Sequence, residues 1–463
     1  TSPGNQNDLA GFGSRGPTQD GRLKPDILAV GDGFSATSSG SPFDCPIYTG
    51  SNPACTLLDH GWAGTSYATP AAAAAAAIIR QYFTQGWYPT RGPVPADAVD
   101  PSAALLRAMI LASGQRITGA NTGATTWPNS NQGFGRLLLS QILPLPGDAF
   151  DTQVVDNGAG LVTGQAMTYT FRVVPGAATA RFVLAWTDYP GTLGASKALV
   201  NDLDLQVTAP NGTVYRGNNF GPFARGQSLP GGTFDSTNTE EAVLLKTPAA
   251  GDWKVTVIGA NVPAGPQPFA LVATGGLDPN YGRLTLDKAT YSEADAIHIR
   301  VEDANAASVS ALVTSGLEPA GETVALSQPA PGAPWTGSIP TAFAQPAADG
   351  ILEVRDGDTI TVTYTDASPS HAAIAQADVR ATYPAVSGAV ADQILATSAT
   401  IRWSTDLPAN SEVLYGTSPT GLSGTVNETV LRTAHALVLK GLQPDTLYLY
   451  DIRSKDQLGH RTW

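Results

Sequence analysis

Glycine and proline break this chain into short pieces: 49 glycines and 35 prolines punctuate 463 residues. Beyond about residue 145 the runs between them are brief and rich in Val, Thr and Tyr, which suits strands rather than helices. Strands are predicted over 166–174, 181–187, 203–209, 242–246, 253–259 and 269–274, with a turn at Pro210-Asn211-Gly212. The same style continues at 296–301 and 359–365, and again from Ile401-Arg402-Trp403 to 447–452. Residues 1–145 differ. The alanine run Ala71 to Ala77 predicts a helix over 65–83 that is buried on most sides. A second helix is predicted to open with Asp100 as N-cap and Pro101 as its first residue, because Leu105, Leu106, Met109 and Ile110 recur at helical spacing. Leu23, Ile27, Leu28 and Val30 predict a short buried strand. The length allows three or four domains.

Charge narrows the function classes. Charged residues make up 14% of the chain and the formal net charge is -13. Such a surface repels phosphate backbones, so no nucleic-acid partner is expected. The longest apolar stretch, Ala71 to Ile79, is too short to span a bilayer. Cys45 and Cys55 are the two cysteines, bracketing a Gly/Ser/Pro/Asn-rich loop. They read as a disulfide in an oxidising compartment, worth about 2–3 kcal/mol, with two free thiols as the alternative.

The segment that carries chemistry is Gly64-Thr65-Ser66-Tyr67-Ala68-Thr69-Pro70, directly before the alanines. A serine opening a helix faces unpaired N–H groups and the positive end of the helix dipole. Both features stabilise an oxyanion forming beside it. Gly64 is expected to let substrate approach, and Pro70 to cost little so near the helix start. On position alone an ordinary N-cap serine is the commoner role.

The wider pattern resembles the subtilisin-like serine proteases (S8-type subtilases). Gly-Thr-Ser-x-Ala-Thr-Pro matches their serine motif. Phe12-Gly13-Ser14-Arg15-Gly16-Pro17-Thr18, followed by Asp20-Gly21-Arg22-Leu23-Lys24-Pro25-Asp26, is similar to the stretch that precedes that serine. Gln132-Gly133-Phe134-Gly135-Arg136-Leu137 is similar to the turn that closes the catalytic domain. Ala71 and Ala74 replace the histidine and glycine the family often carries there, outside the chemistry. The resemblance implies that Ser66 is the nucleophile of a secreted endopeptidase acting on proteins or peptides. It implies too that the partner Asp and His and the oxyanion Asn lie upstream, so that this chain is a fragment and nearly inert alone. Asp59 and His60 sit too near the serine motif to act as the missing acid and base.

The implied organisation is multidomain: a partial α/β subtilisin-like catalytic segment (1–145), then all-β sandwich or jelly-roll units. Residues 146–276 resemble the β-barrel domain of the alkaline, oxidant-tolerant subtilases, through Leu184-Ala185-Trp186-Thr187-Asp188 and Leu199-Val200-Asn201-Asp202-Leu203-Asp204-Leu205. In the latter, Leu203 and Leu205 are expected to face the core and Asp202 and Asp204 the other side. With Asp188 and the Asn201 carbonyl they form an oxygen set suited to calcium, the alternative being a solvated polar face. Residues 277–384 read as an immunoglobulin-like sandwich, with Asp356-Gly357-Asp358 as a turn or a weaker calcium candidate. Residues 385–463 resemble a fibronectin type III domain, with Trp403 as its buried tryptophan and Tyr448 at a tyrosine corner. Related modules precede metallophosphatase domains. The competing reading is a pseudoprotease or surface protein whose β modules grip an extracellular polymer or the cell surface.

Overall fold

The serine-bearing helix α1 spans Thr65–Thr84. In the computed structural model the described residues are 6–32, 34–36, 59–123, 126–222, 225–381, 383–418, 421–457 and 459–462, and side chains are described for 6–32 and from 63 onward. Ala75, Ile79, Tyr82 and Phe83 are the buried residues of α1. Their spacing marks a single stripe of the helix. Ala73, Ala74, Ala77 and Ile78 are exposed. The expected burial on most sides is therefore corrected to burial of one face. Pro70 also differs from expectation. It is the sixth helical residue, beyond the first turn, so its missing N–H leaves the Ser66 carbonyl without its i+4 donor.

Helix α2 spans Ala103–Ala112. Its N-cap is Ser102, not Asp100. The Ser102 hydroxyl accepts from Leu105 N at 3.0 Å and donates to Asp156 Oδ1 at 2.5 Å. Asp100 pairs instead with Arg80 at 2.9 Å. The predicted strand around Leu28 reduces to a single parallel bridge with Arg136, and Val30 is exposed. The short strands β1 (Phe34–Ala36) and β2 (Asp59–Trp62) form an antiparallel ribbon. No parallel sheet forms within 1–145 among the described residues.

What this segment packs against is the next unit. Strands β3 (Asp151–Leu161), β4 (Ala166–Val173), β5 (Thr179–Ala185), β6 (Asp202–Thr208), β7 (Val214–Arg216), β8 (Glu240–Lys246), β9 (Gly251–Asn261) and β10 (Gln267–Gly275) make two four-stranded sheets, ordered β3-β10-β5-β8 and β4-β9-β6-β7. Alternation divides β5 between two cores. Ala180, Phe182 and Leu184 enter the sandwich interior with Trp186 and Trp253. Val183 and Ala185 face outward and join Ala242, Leu244, Ala270 and Val272 in one core with α2 and, packed on α2, α1. Ile79 and Phe83 are wholly buried there. Each contributes about 1.5–3 kcal/mol by its removal from water.

Residues 283–379 form a second sandwich around Ile299, Val301, Ile339, Val362 and Tyr364. Asp356-Gly357-Asp358 is a turn there, with Gly357 at φ +84°. Both of its carboxylates are engaged, Asp356 Oδ1 by Ala381 N and Asp358 Oδ2 by Leu317 N. The last unit packs around Ile401, Trp403, Val413 and Leu439. Trp403 is buried as expected and donates from Nε1 to Ser454 Oγ at 2.9 Å. The Tyr448 hydroxyl accepts from Gln443 N at 3.1 Å, the backbone tie expected of a tyrosine corner. Among the described residues no helix is long and apolar enough to cross a membrane.

Candidate active site

Ser66 is the second residue of α1 and is exposed. The helix start leaves backbone N–H groups without intrahelical acceptors. Tyr67 N turns back onto the Gly64 carbonyl at 3.1 Å. The Ser66 N–H and hydroxyl therefore stand together at the positive end of a 20-residue helix. Among the described residues no side chain or backbone group engages the Ser66 hydroxyl.

The three motif blocks converge on this point. Gly64 N donates to the Gly31 carbonyl at 2.7 Å, which ties the serine turn to the chain just beyond the Lys24-Pro25-Asp26 block. The crowded glycine here is Gly31 rather than Gly64. A Cβ on Gly31 would lie 2.9 Å from the Gly64 oxygen and 3.1 Å from the Ala68 Cβ, whereas one on Gly64 would meet nothing nearer than 3.6 Å. The third block joins through Phe134 N to the Asp26 carbonyl at 3.0 Å, and through Leu28 N to the Gly135 carbonyl at 2.7 Å. Gly133 has φ +54°, and a Cβ there would strike the Pro25 carbonyl oxygen. These glycines let the blocks close on one another.

The charges of the Lys-Pro-Asp block are anchors. Lys24 Nζ lies 2.7 Å from Asp26 Oδ1, and Arg107 Nη2 lies 3.0 Å from the same oxygen. Arg107 also pairs with the buried Glu240 of β8 and donates to Thr239 Oγ1 at 2.6 Å. Burial works against the Asp26 charge, but Lys24 and Arg107 hold its pKa below the ordinary value. Burial pushes Glu240 upward despite the same two cations. Sequence reasoning passed over Arg107. Its signal was a lone cation within the apolar run Ala103 to Ala112.

No base stands beside Ser66 among the described residues. His60 pairs through its backbone with Ser35, and Asp59 with Ala36; their side chains lie outside the described residues. The other histidines are placed elsewhere. His371 contacts the Gly282 and Pro369 carbonyls and stacks on Tyr281. His435 lies between the Thr405 and Ser411 hydroxyls. His460 pairs with Glu293 and Asp456. His298 lines a cleft with Phe83, near the opposite end of α1. Cys45 and Cys55, the expected disulfide, also lie outside the described residues.

Against this geometry, residues 3–135 match the model of the Subtilase family, peptidase S8. The match supports a serine-protease ancestry for the segment that carries Ser66. Two proteins of Dictyostelium discoideum are similar to the chain. The serine protease/ABC transporter B family protein tagD is 33% identical over 316 residues, covering 58% of this chain and 17% of its own length. The similarly described tagB is 32% identical over 318 residues, covering 58% and 16%. This chain thus spans about a sixth of the curated relatives it matches. Their likeness takes in about twice the share of the chain that residues 3–135 occupy, so it runs on past the serine segment. Residues 389–463 match the model of the purple acid phosphatase N-terminal domain. Among solved structures, a DUF4785 family protein of Legionella pneumophila is 8% identical, covering 68% of this chain and 92% of that one at a TM-score of 0.19. A two-domain fibronectin type III segment of chicken tenascin is 17% identical, covering 39% and 93% at a TM-score of 0.20. At those scores neither bears on the fold.

The expected oxygen set on β6 is only partly assembled. Leu203 and Leu205 enter the core as predicted. Asp188 spends its carboxylate on backbone amides: Oδ1 accepts from Tyr189 N and Asn201 N, and Oδ2 from Val200 N. The Asn201 carbonyl accepts from Trp186 Nε1 at 3.0 Å. Asp202 and Asp204 share the face opposite the leucines, but that face is buried rather than solvated. Asp202 Oδ1 has no hydrogen-bond partner. Burial, together with Asp202 and Asp235, pushes Asp204 up to about 7. The fully buried Glu241, missed in the sequence, lies in the same field; its Oε2 accepts from Leu205 N at 2.8 Å, and burial raises its pKa well above the usual range. No group of three or more His, Cys, Asp or Glu side chains is gathered to hold a metal among the described residues.

Proposed function

We propose that Ser66 is the nucleophile of a serine endopeptidase of the subtilase type, forming an acyl-enzyme that water then hydrolyses. The observation that carries this is the exposed Ser66 hydroxyl, unengaged among the described residues, beside its own N–H at the start of α1 and within the segment matching the family model. A serine hydroxyl without a base is a weak nucleophile. The acid, base and oxyanion amide are proposed to come from residues outside those described, as is the primary specificity pocket. Secretion, the oxidant-tolerant type, the Cys45–Cys55 disulfide and the fibronectin-like character of the last unit belong to the same proposal. So does a calcium ion, which now rests on Asp202 and Asp204 rather than on the full set with Asp188 and Asn201.

The test is labelling by a fluorophosphonate probe together with turnover of unfolded casein. The 463-residue chain should turn over casein about a millionfold more slowly than a complete triad enzyme. The protein supplied with its acid and base should label at Ser66 and cleave, and Ser66→Ala should abolish both. Robust casein hydrolysis by the 463-residue chain would overturn the argument about the base. A base-supplied protein that neither labels nor cleaves would favour the pseudoprotease reading, with the β modules binding an extracellular polymer or cell surface.

A further inference from the structure

The second sandwich is joined to its two neighbours in different ways. Towards the first sandwich it is packed: β4 lies against residues 283–286 and 370–379, and Arg172 sits over the Tyr281 ring at 5.4 Å. Towards the last unit it is not. The core around Ile299 and the core around Trp403 share no residue. Units joined without a common core move against each other unless a specific contact holds them.

His460 makes such a contact. It follows the strand Leu449–Lys455 and immediately precedes Arg461–Thr462. Asp456 fixes it there: Oδ1 accepts from His460 N and Oδ2 meets the ring at Nδ1, both at 2.9 Å. The other ring nitrogen, Nε2, pairs with Glu293 Oε2 of the second sandwich. Glu293 stands between the strands Thr290–Tyr291 and Ala296–Glu302, where its Oε1 accepts from Asp356 N at 2.8 Å. Tyr383, in the link between the units, lies against the imidazole with ring centroids 5.3 Å apart.

Each carboxylate thus has one oxygen held by a backbone amide and the other turned to the imidazole. A neutral imidazole carries one N–H, so it can donate to one carboxylate and presents a lone pair to the other. The imidazolium donates to both. The His460 side chain is 10% exposed and that of Glu293 3%, so little water is at hand to replace a lost partner. Burial works against the His460 charge, but Asp456 and Glu293 raise its pKa above the ordinary value. The groups facing the ring are Glu293 from the second sandwich, Asp456 from its own turn and the Tyr383 ring from the link, with Lys455 and Arg461 flanking that turn.

We propose that His460 is a proton-operated latch, which as an imidazolium holds the last unit on the second sandwich and on losing its proton lets that unit move. Released, the ring returns to the ordinary value of 6.5. The latch is therefore at full strength below that pH and is lost as pH rises through the raised value of the closed form. Between the two values the closed-to-open ratio falls by up to about tenfold per pH unit. The latch governs how the last two β units are presented, and it stands apart from the hydrolysis proposed for Ser66.

The experiment is single-molecule energy transfer on the full chain, between dyes attached through azide-bearing residues at Thr336 and Thr429, exposed positions of the second sandwich and the last unit. At about pH 6 one narrow distance distribution is expected, and towards about pH 9.5 a broad second population should grow at its expense. His460→Gln and Glu293→Gln, one on each side of the contact, should each show the broad population already at about pH 6 and little pH dependence. If one of them unfolds its own unit, the other carries the test. Imidazole NMR, with His460 assigned by its loss in His460→Gln, should find its pKa above 6.5 in wild type and closer to 6.5 in Glu293→Gln. The same distribution at both pH values, a pH response that survives His460→Gln, or a His460 pKa at or below 6.5 would overturn the proposal. So would unfolding in both variants, since that would make the contact a structural one.

Discussion

Replacing Asp204 with asparagine should stabilise the first β sandwich at neutral and alkaline pH and change little at pH 4. Asp204 is only 5% exposed, and burial, Asp202 and Asp235 carry its pKa from 3.8 to about 7. Between those values the folded chain keeps the proton and the unfolded chain has released it. Stability from this group is therefore fully present below about pH 4 and falls as pH rises, the loss being complete above about 7. Raising the pKa by this much amounts to about 4 kcal/mol. The substituted asparagine never ionises, so the variant should escape the loss and gain up to that amount at pH 8. Several units unfold in this chain, so a single melting temperature would blur the effect. Hydrogen exchange of the β6 and β9 amides reads it locally. Calcium supplies a second arm: a cation between Asp202 and Asp204 would favour their ionised forms and flatten the wild-type pH dependence, and chelator would restore it. If wild type and Asp204→Asn exchange alike at pH 8 in chelator, the burial argument fails. If calcium leaves the wild-type profile unmoved, the cation does not bind there.

Arg107→Met keeps the stem but leaves Glu240 and Asp26 with Lys24 alone. It should destabilise the α2–sheet contact by about 3 kcal/mol at pH 7, and by less in acid, where Glu240, raised by burial, takes up its proton; denaturation followed at pH 7 and pH 4 checks this. Ser102→Ala removes the N-cap of α2 and should cost about 1 kcal/mol, seen as faster exchange at Leu105 and Leu106 with little change in β4 or β9. Tyr88→Phe removes the hydroxyl that accepts from Val154 N at 3.1 Å and meets Glu302 at 3.0 Å. It should cost about 1–3 kcal/mol by leaving a buried amide unpaired, and limited proteolysis should then separate residues 277 onward sooner than in wild type.

Local pattern carried much of this fold. The six strands predicted between 166 and 274 all form, each shifted by a few residues at most. The start of α1 and the three motif blocks were legible because glycine placement fixes their turns. Strand β3 was not predicted, since Asp151 to Leu161 mixes polar residues with two glycines. It is an edge strand of its sheet, paired with β10, and α2 lies mainly over β10 and β5. The N-cap of α2 was misplaced by two residues because Asp100-Pro101 imitates a helix start, while the deciding contact, Ser102 with Asp156, joins residues 54 apart.

The same limit explains the main change in how residues 1–145 are understood. Read alone, their apolar helices look like surface without a partner, the first part of the molecule a protease should digest. Yet β5 and β10 hold a signal to the contrary. Arg181-Phe182-Val183-Leu184-Ala185 and Phe269-Ala270-Leu271-Val272-Ala273 are almost continuously apolar, where a sheet with one wet face would alternate. A sheet written that way must be covered on both sides. Its outer residues Val183, Ala185, Ala270 and Val272 are covered by α2, against which α1 packs in turn. The C-terminal half of α1, all of α2 and the sheet β3-β10-β5-β8 therefore form one core, and they should resist digestion together. The exposed first turns of α1 around Ser66 lie outside that core, and cleavage there should come first.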